Sequence, residues 1–182
     1  MWKRVLFLLL SALLVLSLAA CGKKDTVADS GTSQPVTGDS GTEASTTDPL
    51  TVRFGSNGTP FMMELEDNDT AAAIARHVGT ARWQLPIYHF DDYEGWESFQ
   101  YYDIPSRYDI PSNAETVTAE KAGEVYYSEP NRIILFYQDA EISGEYTLVG
   151  RFEVTEEFIS AVENNPVLEG WGNKLVIISP GE

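Results

Sequence analysis

Hydrophobic and polar positions divide the chain into three regimes. Val5 through Leu18 is an almost unbroken apolar run, relieved only by small residues such as Ser11, Ala12 and Ser17. From Gly22 to about Asp48, Thr, Ser, Gly, Asp and Ala dominate and large apolar side chains nearly vanish. Beyond that point short alternating segments begin. Leu50-Thr51-Val52-Arg53-Phe54 has the period-two pattern of a half-buried strand, Ser56-Asn57-Gly58 supplies a turn that tolerates positive φ, and Phe61 to Glu66 returns as a second strand. Thr70 to Val78 reads as a helix closed by Gly79, with Asn68 or Asp69 as its cap and Ile74 and Val78 on one face.

The same pattern continues to the end of the chain. Trp83 to Phe90 reads as a strand in which Pro86 marks an edge or a bulge. Asp91 to Pro111, rich in aromatics and turn formers, predicts a short strand around Phe99-Gln100-Tyr101-Tyr102 and then a proline-shaped loop. Gly123 to Tyr127 and Arg132 to Tyr137 form a hairpin across Ser128-Glu129-Pro130-Asn131. Tyr146 to Val154 is a further strand, Glu156 to Asn164 a helix capped by Thr155, and Lys174 to Ser179 a final strand. Many strands with short helices predict a mainly β fold, a closed β-barrel whose openings two short helices cap.

The first regime has the grammar of an export signal. Lys3 and Arg4 precede the apolar run, and Leu18-Ala19-Ala20-Cys21 ends it on small residues. The run is shorter than the about 20 residues a membrane span needs. Leu-Ala-Ala-Cys resembles the bacterial lipobox, and that resemblance implies cleavage before Cys21 and acylation of its thiol. Cys21 is the sole cysteine, so no disulfide forms within the chain and no thiol is left for redox chemistry. The expected organisation is a signal peptide over residues 1–20, a lipidated cysteine with a disordered tether over 21–49, and one folded domain over 50–182. The tether's polar composition cannot offset its chain entropy, and as a flexible coil it would reach about 30 Å. Localisation follows as an expectation: lipid-anchored to the cell membrane, on its extracytoplasmic face.

Charge then removes one class of partner. With 12 basic and 28 acidic residues the net charge is −16, and loss of Lys3 and Arg4 with the signal makes it more negative still. Phosphate contacts need a basic surface, so nucleic acid is excluded as a partner. No cofactor is implied, since there is no dinucleotide fingerprint, phosphate-binding glycine loop or Gly-x-Ser-x-Gly elbow. No metal is implied either. His77 and His89 lack ligand spacing with Asp91 and Asp92, and Asp67-Asn68-Asp69 lacks the glycine and distal glutamate of a calcium loop.

Several segments share one further likeness. Gly144 to Phe152, the helix that follows and Lys174-Leu175-Val176-Ile177-Ile178 resemble the end of cyclophilins in order and spacing. Leu65-Glu66-Asp67-Asn68 before Thr70-Ala71, Gly123 before paired tyrosines, Leu135-Phe136-Tyr137 and Gly150-Arg151 are similar to the small bacterial cyclophilin-like domains. This resemblance implies a barrel over about residues 50–182. Prolyl isomerisation in cyclophilins uses an arginine in a Phe-His-Arg strand, a Gln-Phe-Phe strand, a tryptophan and a histidine. Here Glu141 falls at the tryptophan position and Tyr146 at the histidine position, and neither strand motif occurs. The expectation is a non-catalytic module that holds a peptide, protein segment or small ligand. Its candidate groove comprises Arg82, Tyr88, Tyr101, Arg107, Phe136 and Tyr146, with no catalytic residue assigned. A divergent prolyl isomerase assisting secreted proteins, using Arg82 or Arg107, is the alternative.

Overall fold

The computed structural model describes residues 48–87, 97–170 and 172–181. The proposed signal, Cys21 and nearly all of the tether lie outside the described residues, as do Tyr88, His89, Asp91 and Asp92. Nine strands and two helices follow in the order β1 (Leu50–Phe54), β2 (Pro60–Leu65), α1 (Asp69–Thr80), β3 (Trp83–Ile87), β4 (Phe99–Asp103), β5 (Glu115–Val117), β6 (Glu124–Ser128), β7 (Arg132–Phe136), β8 (Gly144–Phe152), α2 (Glu156–Glu163) and β9 (Lys174–Pro180). No described helix is long and apolar enough to cross a membrane.

All of the pairing is antiparallel, and the main path runs β3-β9-β1-β2-β8-β6-β7-β4, with β5 joined to β8. The expected closed barrel is therefore corrected to an open sheet. Its end strands, β3 and β4, run near one another, but no hydrogen-bonded register joins them among the described residues. Pro86 in β3 accounts for part of this, since it removes an N–H from the strand at that edge.

Local chemistry explains the helix ends. Asn68 caps α1, its Oδ1 accepting from Ala71 N at 2.9 Å while its Nδ2 donates to Leu148 O at 2.8 Å, which ties the helix start to β8. The helix runs past Gly79 to Thr80, where the Thr80 hydroxyl donates to the His77 carbonyl; its C-cap is Ala81 rather than the expected glycine. Thr155 caps α2 by accepting from Phe158 N. In the β1–β2 turn the positive φ falls on Gly55 at 83°, two positions ahead of the expected Asn57-Gly58 pair, and Gly58 N closes back on Gly55 O.

The inner face of the sheet and the two helices bury one large core. Ala71, Ala73, Ile74 and Val78 of α1 and Phe158 and Val162 of α2 pack on it. Phe158 meets Phe152 in a stack at 4.9 Å and the rings of Phe54 and Phe61 at 6.0 and 5.6 Å. Buried Gln100 on β4 donates to Val162 O at the end of α2 and accepts from Tyr102. One glutamine thus satisfies a helix-end carbonyl and a buried phenol together.

Candidate functional site

Among the described residues, the inner face of the sheet is closely filled. Tyr102, Phe54, Met63, Leu135 and Phe152, with aliphatic neighbours, surround an apolar void of about 20 Å³. That volume is about one probe sphere, well short of a ligand cavity of ~300 Å³ or more. Burial holds the Tyr102 phenol far above the ordinary tyrosine range, so it stays protonated and spends its hydrogen on Gln100.

The opposite face is different. Strand alternation puts Phe99, Tyr126, Ile134 and Phe136 into a second buried cluster, with Tyr101, Tyr146 and Leu148 half-buried against it. Phe136 packs at 5.2 Å on Phe99 and edge-on at 5.8 Å on Tyr126, and Tyr126 lies 5.8 Å from Tyr146. Ala140 and Ile142, from the segment after β7, cover part of the cluster. Glu120 fastens that segment. Its backbone exchanges both hydrogen bonds with Ala140, and its Oε2 accepts from Ile142 N at 3.1 Å. The side chain is 0% exposed, and its Oε1 has no partner among the described residues.

Where this cluster reaches β8, a groove of about 420 Å³ opens. The register between β6 and β8 shifts at Val125/Tyr126, so that Glu124 opposes Arg151 while Tyr126 opposes Leu148. Such an irregularity re-aims side chains, and Glu124, Tyr126, Leu148 and Arg151 all line the groove. Arg151 reaches Glu66 through Nη1, and its Nε lies 3.6 Å from Glu124 Oε1. The Tyr126 hydroxyl donates to Glu124 Oε2 at 2.7 Å, and that oxygen also accepts from Lys121 N at 2.8 Å. Burial first, then this hydrogen bond and the charges of Glu124 and Glu120, raise the Tyr126 phenol above its usual range. Asn68 and the β2 end close one side; Asn113, Glu115 and Val117 close the other. Asn113 is placed by its backbone N–H, which donates to the Thr147 hydroxyl at 3.0 Å. A second cleft of about 400 Å³, between the start of β1, α1 and the end of β9, has Asp48 as its one charged lining side chain among the described residues.

The residues expected from sequence fall in three places. Tyr146 lines the groove, and Phe136 and Tyr101 belong to the aromatic cluster beside it. Arg132 lies over the Tyr101 ring at 4.0 Å while forking to Asp103. Arg107 sits elsewhere, over the ring of Tyr108 at 4.7 Å, and Tyr108 packs on His77 and Trp83. Arg82 is exposed immediately before β3. His77 Nε2 is 3.2 Å from the Asp109 carbonyl oxygen, and no cluster of three metal-ligating side chains exists among the described residues. The charged and aromatic groove residues that sequence reasoning missed are Glu66, Glu115, Glu124, Tyr126 and Arg151. Their signal was present but read as a mark of fold: Leu65-Glu66-Asp67-Asn68, Gly123 with its tyrosines and Gly150-Arg151 meet at this place.

A family model described as the cyclophilin-like family matches residues 54–168. Among solved structures, that of McbB in complex with tryptophan superposes with a TM-score of 0.51 at 18% identity, over 73% of this chain. It is matched over 45% of its own length, so this chain spans less than half of McbB, and the likeness is one of fold alone. The solution structure of the hypothetical protein AF2241 from Archaeoglobus fulgidus gives a TM-score of 0.47 at 16% identity, covering 77% of this chain and 99% of that one. Comparison with curated proteins gives no match.

Proposed function

The chain belongs to the cyclophilin-like family, and on that frame we propose that it is a lipid-anchored, extracytoplasmic binding module without catalytic activity, holding a peptide or protein segment in the groove on β8. One observation carries the reading. Three of the four sequence segments that resemble the small bacterial cyclophilin-like domains meet at this one groove, while the described part of the inner face is filled. A concave site with a few convergent polar groups on apolar walls is the usual form of a binding site.

Arg151, the arginine in the groove, is occupied by Glu66 and Glu124. Lowering the barrier to prolyl rotation, about 18–20 kcal/mol, calls for a donor free to meet the amide nitrogen. In a proline-peptide isomerisation assay the full chain should leave the uncatalysed rate unchanged. Turnover abolished by Arg82→Ala or Arg107→Ala would establish the isomerase reading instead.

The basic, apolar and small-residue order that ends at Cys21 supports the anchor. Cys21→Ala should lose incorporation of labelled fatty acid and partition away from membranes. Retention of both would refute lipidation at this residue.

A further inference from the structure

We propose that the groove takes a positively charged side chain, a lysine or arginine carried by a segment of another protein, with its charged end between Glu115 and Glu124 beside the tyrosine wall. The inference rests on the groove reading above and adds the chemistry of the occupant.

Charge complementarity carries it. Glu66, Glu115 and Glu124 line the groove against Arg151, the one cation there among the described residues. Arg151 serves Glu66 and Glu124, whereas Glu115 on β5 has no cationic partner among the described residues. Glu120 lies behind the wall, wholly buried with one oxygen that has no partner among the described residues. Carboxylates set against low-dielectric walls concentrate negative potential in the cleft, and the net charge of −16 deepens it.

Each competing occupant meets a physical objection. An anionic segment would face carboxylates that one guanidinium only partly offsets. A wholly apolar segment would strip water from Glu115 and offer it no partner, a costly desolvation. Lysine and arginine carry an apolar stem and a charged head. The stem suits Val117, Leu148 and the rings of Tyr126 and Tyr146, and the head suits the carboxylates. Cation–π attraction at a tyrosine face adds to this. A volume of about 420 Å³ accommodates a length of backbone besides one side chain, being within the range of ~300–1,000 Å³ typical of ligand sites.

The test uses the isotope-labelled full-length protein in zwitterionic detergent micelles at low ionic strength. Three probes are added separately: an acetylated and amidated alanine pentapeptide with lysine at its centre, its norleucine counterpart, and butylammonium. The lysine peptide should shift the resonances of Tyr126, Tyr146 and Leu148 saturably, bind at least tenfold more tightly than the norleucine peptide, and weaken as salt is raised. Glu115→Gln should weaken it roughly three- to fivefold, the scale of an exposed ion pair, and Arg151→Gln should strengthen it. Equal binding of the norleucine peptide at the groove would overturn the charge inference and leave the groove reading standing. Butylammonium binding as tightly as the lysine peptide would overturn the assignment to a protein segment. No groove shifts with either peptide at millimolar concentration would overturn both readings.

Discussion

Gly123 and Gly144 sit near the groove for opposite reasons. Gly123 has a φ of 88°, and a Cβ there would come within 2.7 Å of the Phe152 carbonyl oxygen. That backbone cannot retreat, because Phe152 N donates to Gly123 O and Gly123 N to Phe136 O. Gly123→Ala should therefore cost about 2 kcal/mol or more, combining left-handed strain with the clash, read as a lowered urea midpoint at unchanged slope. At Gly144 a Cβ would run into the ring of Tyr146, the far end of a side chain that can swing away. Gly144→Ala should change stability by less than about 1 kcal/mol yet displace that ring, seen as loss of proton–proton contacts between Tyr126 and Tyr146. Neither role was legible in the sequence. Gly123 marks only the start of a strand in the sequence and Gly144 only part of a resemblance, because what a glycine makes room for comes from distant chain.

Among the elements, those with strong periodicity or a cap matched expectation closely: β1, both helices, the β6–β7 hairpin and β9. Their signals are local. β5 was not anticipated, since Glu115-Thr116-Val117 is short and polar and exists as a strand because β8 offers an edge from Gly144 to Tyr146. For the same reason β8 begins two residues earlier than its apolar pattern suggested. The groove lies between these unforeseen pairings, so its walls could not be assembled from periodicity. α2 illustrates the legible kind: its apolar face predicted burial, and Phe158 is 0% exposed among the rings of Phe54, Phe61 and Phe152. Phe158→Ala should destabilise by about 3–5 kcal/mol, as cavities left by large aromatics do, measured by chemical denaturation. A loss under about 1 kcal/mol would mean that α2 is not held by this contact.

For the whole molecule, tyrosine burial sets a limit on alkaline stability. Burial is the leading cause in each of four raised phenols, Tyr102, Tyr126, Tyr127 and Tyr137, and Tyr137 is pushed up to about 12. These groups hold their protons more tightly in the folded state than in the unfolded chain. Their contribution is complete below the unfolded value of about 10 and is lost as pH rises through the folded values. Stability should thus be flat near neutrality with respect to these groups and fall steeply between pH 10 and about 12. Ionisation of these four phenols, followed through their own ring resonances, should coincide with loss of circular dichroism; ionisation of these four well before unfolding would contradict the assignment. Barrel closure, the expectation that failed at this scale, depends on whether two distant strands pair, and no local pattern reports on that.

The pairing of β1 with β9 has a consequence for timing. The first and last described strands are neighbours, and Gly181 N donates to Pro49 O just beyond them. β9 also holds β3, so until the C-terminal strand arrives both β1 and β3 lack their shared partner. Sheets built from such sequence-distant pairs form slowly, because the loop must close before any contact repays it. In a chain threaded through a membrane from its N-terminus, as proposed here, the sheet cannot assemble behind the translocating segment. In a chain exported in that way, slowness of this kind would keep the polypeptide open for passage and postpone burial of its aromatics until β9 had crossed.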